Sequence, residues 1–234
     1  MRLLLILWRV CCYALGALVV ALAVYQFWFF MQILFWLEHN PETTRFMDLR
    51  LAALREHDPG AKLSQQWADY RNISVHLKRA VVAAEDARFL DHDGFDWEGI
   101  QRALEKNQKR GKVVAGGSTI TQQLAKNLFL SGERSALRKA EEAVITAMLE
   151  AVMSKRRILE LYLNAAEWGE GVFGAEAAAR HYFGVSAANL SPEQAAQLAA
   201  MLPRPRFYDR NRASPHLEKY REIILSRMPV AQVP

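Results

Sequence analysis

The stretch from Val10 to Trp36 constrains this chain more than any other, with 27 residues free of charge and strong polar interruptions only at Gln26 and Gln32. A run of that length and composition spans a bilayer as one helix with some tilt. A cleaved secretory signal is the competing reading, because Ala21-Leu22-Ala23 mimics a small-residue cleavage site. The apolar run continues past it as far as Trp36, which favours a retained anchor. Arg2 and Arg9 precede the span, and Glu38 is the first charge after it. The positive-inside bias therefore predicts residues 1–9 in the cytoplasm, a single pass over 10–36, and the remainder outside the cytoplasmic (inner) membrane.

About 195 residues follow the span, enough for one sizeable core and few for two. The expected organisation is a polar, partly helical neck over 37–66 and one domain over 67–234. The only cysteines, Cys11 and Cys12, lie inside the span, so no disulfide staples the exported part. Its stability must come from packing. Two of the thirty Lys and Arg precede the span, leaving 28 against 25 acidic residues, an ordinary balance. Its distribution is uneven: Arg102 to Lys139 holds nine Lys or Arg against Glu105 and Glu133. Such a patch calls for an anionic neighbour, whether phosphate, nucleic acid or lipid headgroup.

Helical periodicity dominates from Trp67 onward, which predicts a mainly α domain. Leu77, Val81, Ala84, Glu85 and Phe89 fall on one helical stripe that stops at the turn signal Asp93-Gly94. A second helix is expected from Trp97 to about Gln108, and the basic, glycine-containing run 109–117 reads as a mobile loop. Thr119 and Gln122 have capping-box spacing, so a helix should start after Gly116-Gly117 with Ile120, Leu124 and Leu128 inward. The longest helix of the domain should start at Ser135 and bury Leu137, Val144, Ile145, Met148, Leu149 and Val152. Helices at 156–163 and 175–183 follow, the latter closed by Gly184. Ser191-Pro192 and Ser214-Pro215 each announce another.

Glu85 ends an apolar run and shares a helical face with Leu77 and Val81, so its carboxylate is expected to be partly desolvated. Desolvation raises a carboxyl pKa toward the range of a useful proton acceptor. An exposed Glu85-Asp86 pair, or a bridge from Glu85 to Arg88, is the plain alternative. The glycines at 116–117 and the amides of the following helix start suit an anion such as pyrophosphate, although a glycine pair is often just a turn. No Gly-Lys-Ser or Gly-Lys-Thr supports a nucleotide loop. Glu142 lies one turn after Arg138 on a face that continues through Ile145 and Leu149. It either bridges Arg138 or serves as the second carboxylate of a paired site. Glu160, Tyr162 and Asn164 sit among large apolar residues and should make internal hydrogen bonds, as should His92. No HExxH supports a protein-only metal cage, and no Ser-x-x-Lys supplies an acyl-serine nucleophile.

Five blocks, read in order, resemble the peptidoglycan glycosyltransferase family, found as single-domain enzymes and as the amino-terminal half of bifunctional penicillin-binding proteins. They are Glu85-Asp86-x-x-Phe89-x-x-His92-x-Gly94-x-Asp96; GGSTITQQLAKN from Gly116 to Asn127; Arg138-Lys139-x-x-Glu142; KRRILELYLN from Lys155 to Asn164; and Gly171-x-x-Gly174 through Ala178-Ala179 to Tyr182-Phe183. The resemblance covers roughly residues 65 to 205 of this chain. It implies a lysozyme-like, two-lobed helical domain behind a single transmembrane helix. It also implies a cleft for lipid II and the growing glycan strand. By resemblance, Glu85 is the general base. Glu142 is the second essential carboxylate, associated with the substrate pyrophosphate and a divalent metal, Mg or Mn. Lys126, Arg134, Arg138 and Lys139 match residues that neutralise the leaving group, and Asp86, Ser118, Gln122 and Asn127 are expected contacts to sugar or phosphate. The anionic neighbour is then a lipid diphosphate, with no nucleic acid partner, and other cell-wall synthesis proteins are further expected partners. Apolar residues between the first block and Gly116 are expected to dip into the bilayer. Arg210 stands where proline is frequent in relatives, so the C-terminal helix transfers least securely. A lysozyme-type hydrolase or lytic enzyme is the first rival, since paired carboxylates also cut glycans. A non-enzymatic membrane scaffold is the second.

Overall fold

The structure is a computed structural model that describes residues 1–112, 116–133 and 135–234, without the side chains of residues 2 and 3. The chain forms two compact units, residues 1–40 and 41–234. The first is built on α1 (Arg2–Phe35). Within it Leu4–Phe35 is long and apolar enough to cross a membrane, with a mean hydropathy of 2.2. Thirty-two residues rise about 48 Å, more than the roughly 30 Å hydrocarbon core needs. The helix starts earlier than the uncharged run and carries Arg9 within it. Helical hydrogen bonding does not stop where hydropathy changes, and a long arginine stem reaches the interface from inside a helix.

The second unit begins with α2 (Arg45–Arg55), whose first turn is capped by Thr44. The segment read as a neck is thereby shared between the units: Leu37–Asn40 go with the first, and from Pro41 the chain belongs to the second. There follow β1 (Ser64–Gln65), α3 (Val75–Glu85), α4 (Trp97–Arg110), α5 (Ile120–Phe129), α6 (Ala136–Val152) and α7 (Lys155–Ala165). Then come β2 (Glu167–Gly169), β3 (Val172–Phe173), α8 (Ala175–Phe183), α9 (Pro192–Met201), α10 (Pro205–Arg210) and α11 (Pro215–Arg227). The unit is mainly α. Among the described residues a small sheet has the order β1-β3-β2, with β1 parallel and β2 antiparallel to β3.

The helix starts follow their capping chemistry. Thr119 and Gln122 form the expected capping box at α5, and Ser191 and Gln194 form another at α9. α9 turns Ala195, Ala196 and Ala199 toward the core, and such small side chains let α3 pack close with Leu77, Ala80 and Val81 fully buried. α5 packs against α2, α6 and α7. Fully burying one leucine such as Leu77 contributes about 2 kcal/mol, so these helices fix the positions of the residues on their remaining faces.

Two sequence expectations are corrected. α3 ends at Glu85, four residues before Phe89, because Asp86 leaves the helix to accept hydrogen bonds from the Ile120 amide (3.0 Å) and His92 Nε2 (2.9 Å). Phe89 is fully buried, but from a turn. On α6, Leu137 is 82% exposed and Val144 43% exposed. The buried stripe is Glu142, Ile145, Thr146 and Leu149. At roughly 100° per residue, Val144 lies about 200° and Leu137 about 140° around the helix from Glu142. A polar residue, not the leucine, marks the inward face.

α4 runs to Arg110 and closes on Gly111 in the left-handed region (φ 62°), so Lys109 and Arg110 of the expected mobile loop are helical. Residues 113–115 of that loop lie outside the described residues.

Candidate active site

A cleft of about 1020 Å³ opens in the second unit between α5 and α6 on one side and α2 and α10 on the other. Of the residues singled out from sequence, Ser118, Lys126, Asn127, Arg138, Lys139 and Glu142 line it. Arg134 lies outside the described residues.

Glu85 is the last residue of α3, the negative end of the helix dipole. Its carboxylate is half-buried and reaches the cleft through Gln123, whose Nε2 donates to Glu85 Oε2 at 2.7 Å. Tyr162 OH donates to Gln123 Oε1 at 3.0 Å from a fully buried ring. An ionised carboxylate only accepts, so it meets the amide's N–H end, and the Tyr162 hydroxyl supports that orientation by donating to the amide oxygen. Burial pushes the Glu85 pKa up, and Asp86 adds to the rise. The Gln123 amide and the Lys126 ammonium oppose it without cancelling it. Burial likewise holds the Tyr162 phenol well above its ordinary value, so it remains a donor.

Glu142 has different company. It is buried on α6, with Arg138 Nη1 2.8 Å from Oε2 and the Lys139 ammonium on Oε1. Lys139 Nζ also approaches Ser118 Oγ at 3.5 Å. Lys126, one turn after Gln123 on α5, lies within electrostatic reach of both carboxylates. Burial lowers its pKa; Glu142 and Glu85 counter that, while Arg138 and Lys139 reinforce it. The site thus holds one carboxylate without an ion-pair partner among the described residues, a lysine within reach of both, and a second carboxylate clasped by two cations.

Asp86 and Gln122 do not line the cleft. Both Asp86 oxygens hold the protein's own donors, and His92 orients this contact: its Nδ1 accepts from Gly94 N at 3.1 Å, leaving Nε2 as the donor. Gln122 is buried, with Oε1 accepting from the Thr119 amide at 3.1 Å. Asp86 thereby joins the end of α3 to the start of α5, and Gln122 closes the capping box at the start of α5. Gly117 has a packing reason, since a Cβ there would meet the Ile100 backbone at 3.1 Å, whereas a Cβ at Gly116 would meet nothing within 4 Å among the described residues. Glu160, Asn164 and Tyr162 make the expected internal bonds; Asn164, for instance, exchanges two 2.9 Å bonds with the Ala68 backbone.

The opposite wall is built from residues that no sequence motif marked. Arg50 of α2 bonds buried Glu167 of β2 at 3.1 Å, and Arg204, Arg206 and Arg210 line the cleft from the α10 side. The spacing Arg204-x-Arg206-x-x-x-Arg210 was the available signal.

A family model described as Transglycosylase matches residues 52–229. The biosynthetic peptidoglycan transglycosylase of Dechloromonas aromatica is 63% identical over 211 residues, 90% of this chain and 91% of that protein. Its counterpart in Methylobacillus flagellatus is 61% identical over 215 residues, covering 92% and 94% of the two chains. That of Azoarcus sp. is 58% identical over 228 residues, covering 97% and 98%.

Proposed function

From the premise that this chain belongs to the transglycosylase family and is a peptidoglycan glycosyltransferase, we propose that it polymerises lipid II with Glu85 as general base. Glu85 takes the proton of the acceptor N-acetylglucosamine 4-hydroxyl as that oxygen attacks C1 of the donor N-acetylmuramic acid. The bond from C1 to the diphosphate oxygen breaks with its electron pair, and undecaprenyl pyrophosphate departs. The anomeric carbon inverts, leaving a β-1,4 link.

The observation that carries this reading is the contrast between the two carboxylates. A base must accept a proton, which a desolvated carboxylate held by one neutral amide does better than one in two ion pairs. A leaving diphosphate needs positive charge, which Lys126, Arg138 and Lys139 supply. A glycan hydrolase has no such charge to stabilise. Ser118 and Asn127, on the same wall, suit sugar hydroxyls or phosphate oxygens.

A divalent metal, Mg or Mn, fits this wall in company with the substrate. Glu142 is the carboxylate set among the three cations, and no group of three His, Cys, Asp or Glu converges among the described residues. Magnesium commonly uses one or two carboxylates together with phosphate oxygens and water. Glu142 would hold it with the diphosphate, where it supplies further neutralising charge.

Anchoring through α1, with residues 1–9 inside and the catalytic unit outside, puts enzyme and lipid-linked substrates on one surface and raises their effective concentration. On α4, Trp97 (72% exposed) and Leu104 (64% exposed) share a face seven residues apart, above Lys106, Lys109 and Arg110. This is the chemistry of a helix dipping into a lipid interface.

Gel-resolved polymerisation of labelled lipid II tests the reading. Glu85→Gln should lower strand formation at least about a thousand-fold. Unchanged polymer yield would remove Glu85 as the base, and release of soluble muropeptides by the wild type would point to the lytic chemistry instead.

A further inference from the structure

Cations dominate both walls of the cleft, yet they are not used alike. Lys126, Arg138 and Lys139 gather around Glu142. On the other wall Arg50 is engaged by Glu167. Arg204, Arg206 and Arg210 have no carboxylate within 4 Å among the described residues, although they line the same cavity. Arg212, two residues further and outside that lining, is held by Asp209 at 3.0 Å. Buried Glu167, bonded to Arg50, is within electrostatic reach of Arg206 without pairing with it, so one carboxylate on this wall faces several cations.

The support beneath these arginines is rigid. Pro205 sets the first turn of α10, and Tyr208 is buried with its hydroxyl 3.0 Å from His216 Nδ1. Asp209 Oδ2 accepts from the Glu170 amide at 3.0 Å, pinning α10 to the end of β2. Arg204 lies over the Phe207 ring at 4.5 Å, and Arg210 Nε donates to the Arg206 carbonyl at 3.3 Å. Arg210 retains the helical turn at a position where a proline would end it. Guanidinium groups carried on a fixed turn and in no ion pair among the described residues match a polyoxyanion, whose oxygens they grip by paired hydrogen bonds.

The proposed reaction brings two such anions to the cleft in each transfer. The donor releases its diphosphate, but the acceptor keeps its own until the next round. We infer that Arg204, Arg206 and Arg210 form a second diphosphate subsite that holds the acceptor's lipid diphosphate while the Glu142 wall takes the donor's. The inference rests on the transfer reaction proposed above, and it does not depend on which residue is the base. An anionic phospholipid headgroup offers the same phosphate chemistry, so the test separates the two sources.

The full chain in detergent is titrated with undecaprenyl diphosphate, without turnover. The wild type should bind two equivalents. The variant Arg204→Gln/Arg206→Gln/Arg210→Gln should bind one, with affinity for the other weakened at least about ten-fold. Lys126→Ala/Arg138→Ala should bind one and keep the site that the first variant loses. Arg206→Gln alone, with the wild-type thermal midpoint, should weaken the second equivalent and so exclude misfolding as the cause. A single equivalent on the wild type, or two undiminished equivalents on the triple variant, would overturn the inference. Vesicles of phosphatidylcholine with and without phosphatidylglycerol form the second arm. If the triple variant loses only phosphatidylglycerol-dependent binding and keeps both equivalents, the arginines read headgroups and the subsite is refuted. Repeating the titration in Glu85→Gln should change nothing, so failure of Glu85 as base and failure of the subsite give different results.

Discussion

Glu85 and Glu142 lie within electrostatic reach of one lysine, yet the fold gives them opposite partners. Glu85 ends a helix, loses water to its surroundings and receives a single amide from Gln123. Glu142 sits mid-helix, buried, and holds two cations one turn away or less. Chemically identical groups are thus sorted by what the neighbouring helix turns offer, an uncharged donor in one case and a guanidinium with an ammonium in the other. The difference assigns proton acceptance to one end and charge neutralisation to the other.

The comparison breaks most visibly at Glu142. Glu142→Gln leaves Arg138 and Lys139 facing each other and Lys126 without their counter-charge. Strand formation should fall by about a hundred-fold or more. Because Arg138 is largely covered, the fold should also lose about 1–3 kcal/mol in denaturant unfolding. A variant with full activity would show that the cations need no carboxylate among them.

At the other end, Tyr162→Phe should act through Gln123. Without the hydroxyl, the amide is free to turn its oxygen toward Glu85 and the bond that favours the charged carboxylate is weakened. The Glu85 pKa then rises further. Activity requiring the ionised base is lost as pH falls through that pKa, so the acidic limb of kcat/KM should move to higher pH, while activity at alkaline pH falls only several-fold. An unmoved acidic limb with a uniformly lower rate would reduce Tyr162 to a packing role. Chelation should be milder still: added EDTA is expected to slow polymerisation about ten-fold or less, because three cations already serve the diphosphate wall.

How legible these two ends were in the sequence differs for physical reasons. Local chemistry announces itself: the Thr119/Gln122 capping box, the Gly184 helix end and the one-turn spacing of Arg138 and Glu142 all appear in the structure as read. Pairings across distant segments do not. Nothing in the run around Tyr162 says that its hydroxyl meets Gln123, 39 residues away in the chain, or that Arg50 meets Glu167 across 117. Asp86 and Gln122 looked like ligand contacts because they neighbour such residues in the motifs, yet Asp86 holds the Ile120 amide and His92, and Gln122 Oε1 closes the α5 capping box. Hydropathy also misjudged α6, where Leu137 and Val144 look inward by composition and outward by angle. Which face of an amphipathic helix is buried depends on the partner helices, and here a charged residue with its own counter-ions was the better marker.

The smallest expected effect is the most diagnostic, because it carries the opposite sign from the loss of activity. Glu85 has a folded-state pKa raised above its unfolded value, so the folded protein binds this proton more tightly. Its contribution favours folding at pH below the unfolded value and is lost as pH rises through the folded one. At neutral pH the wild type therefore bears the cost of holding a desolvated charge. Gln at this position removes that charge while keeping the shape. Glu85→Gln should unfold at a higher temperature than the wild type near neutral pH, with the advantage shrinking as acid protonates Glu85 in the folded state. Glu142→Gln should show the reverse order at neutral pH, being less stable than the wild type. If both substitutions destabilise alike, the two carboxylates are not sorted as their partners indicate, and the division of labour between them fails with it.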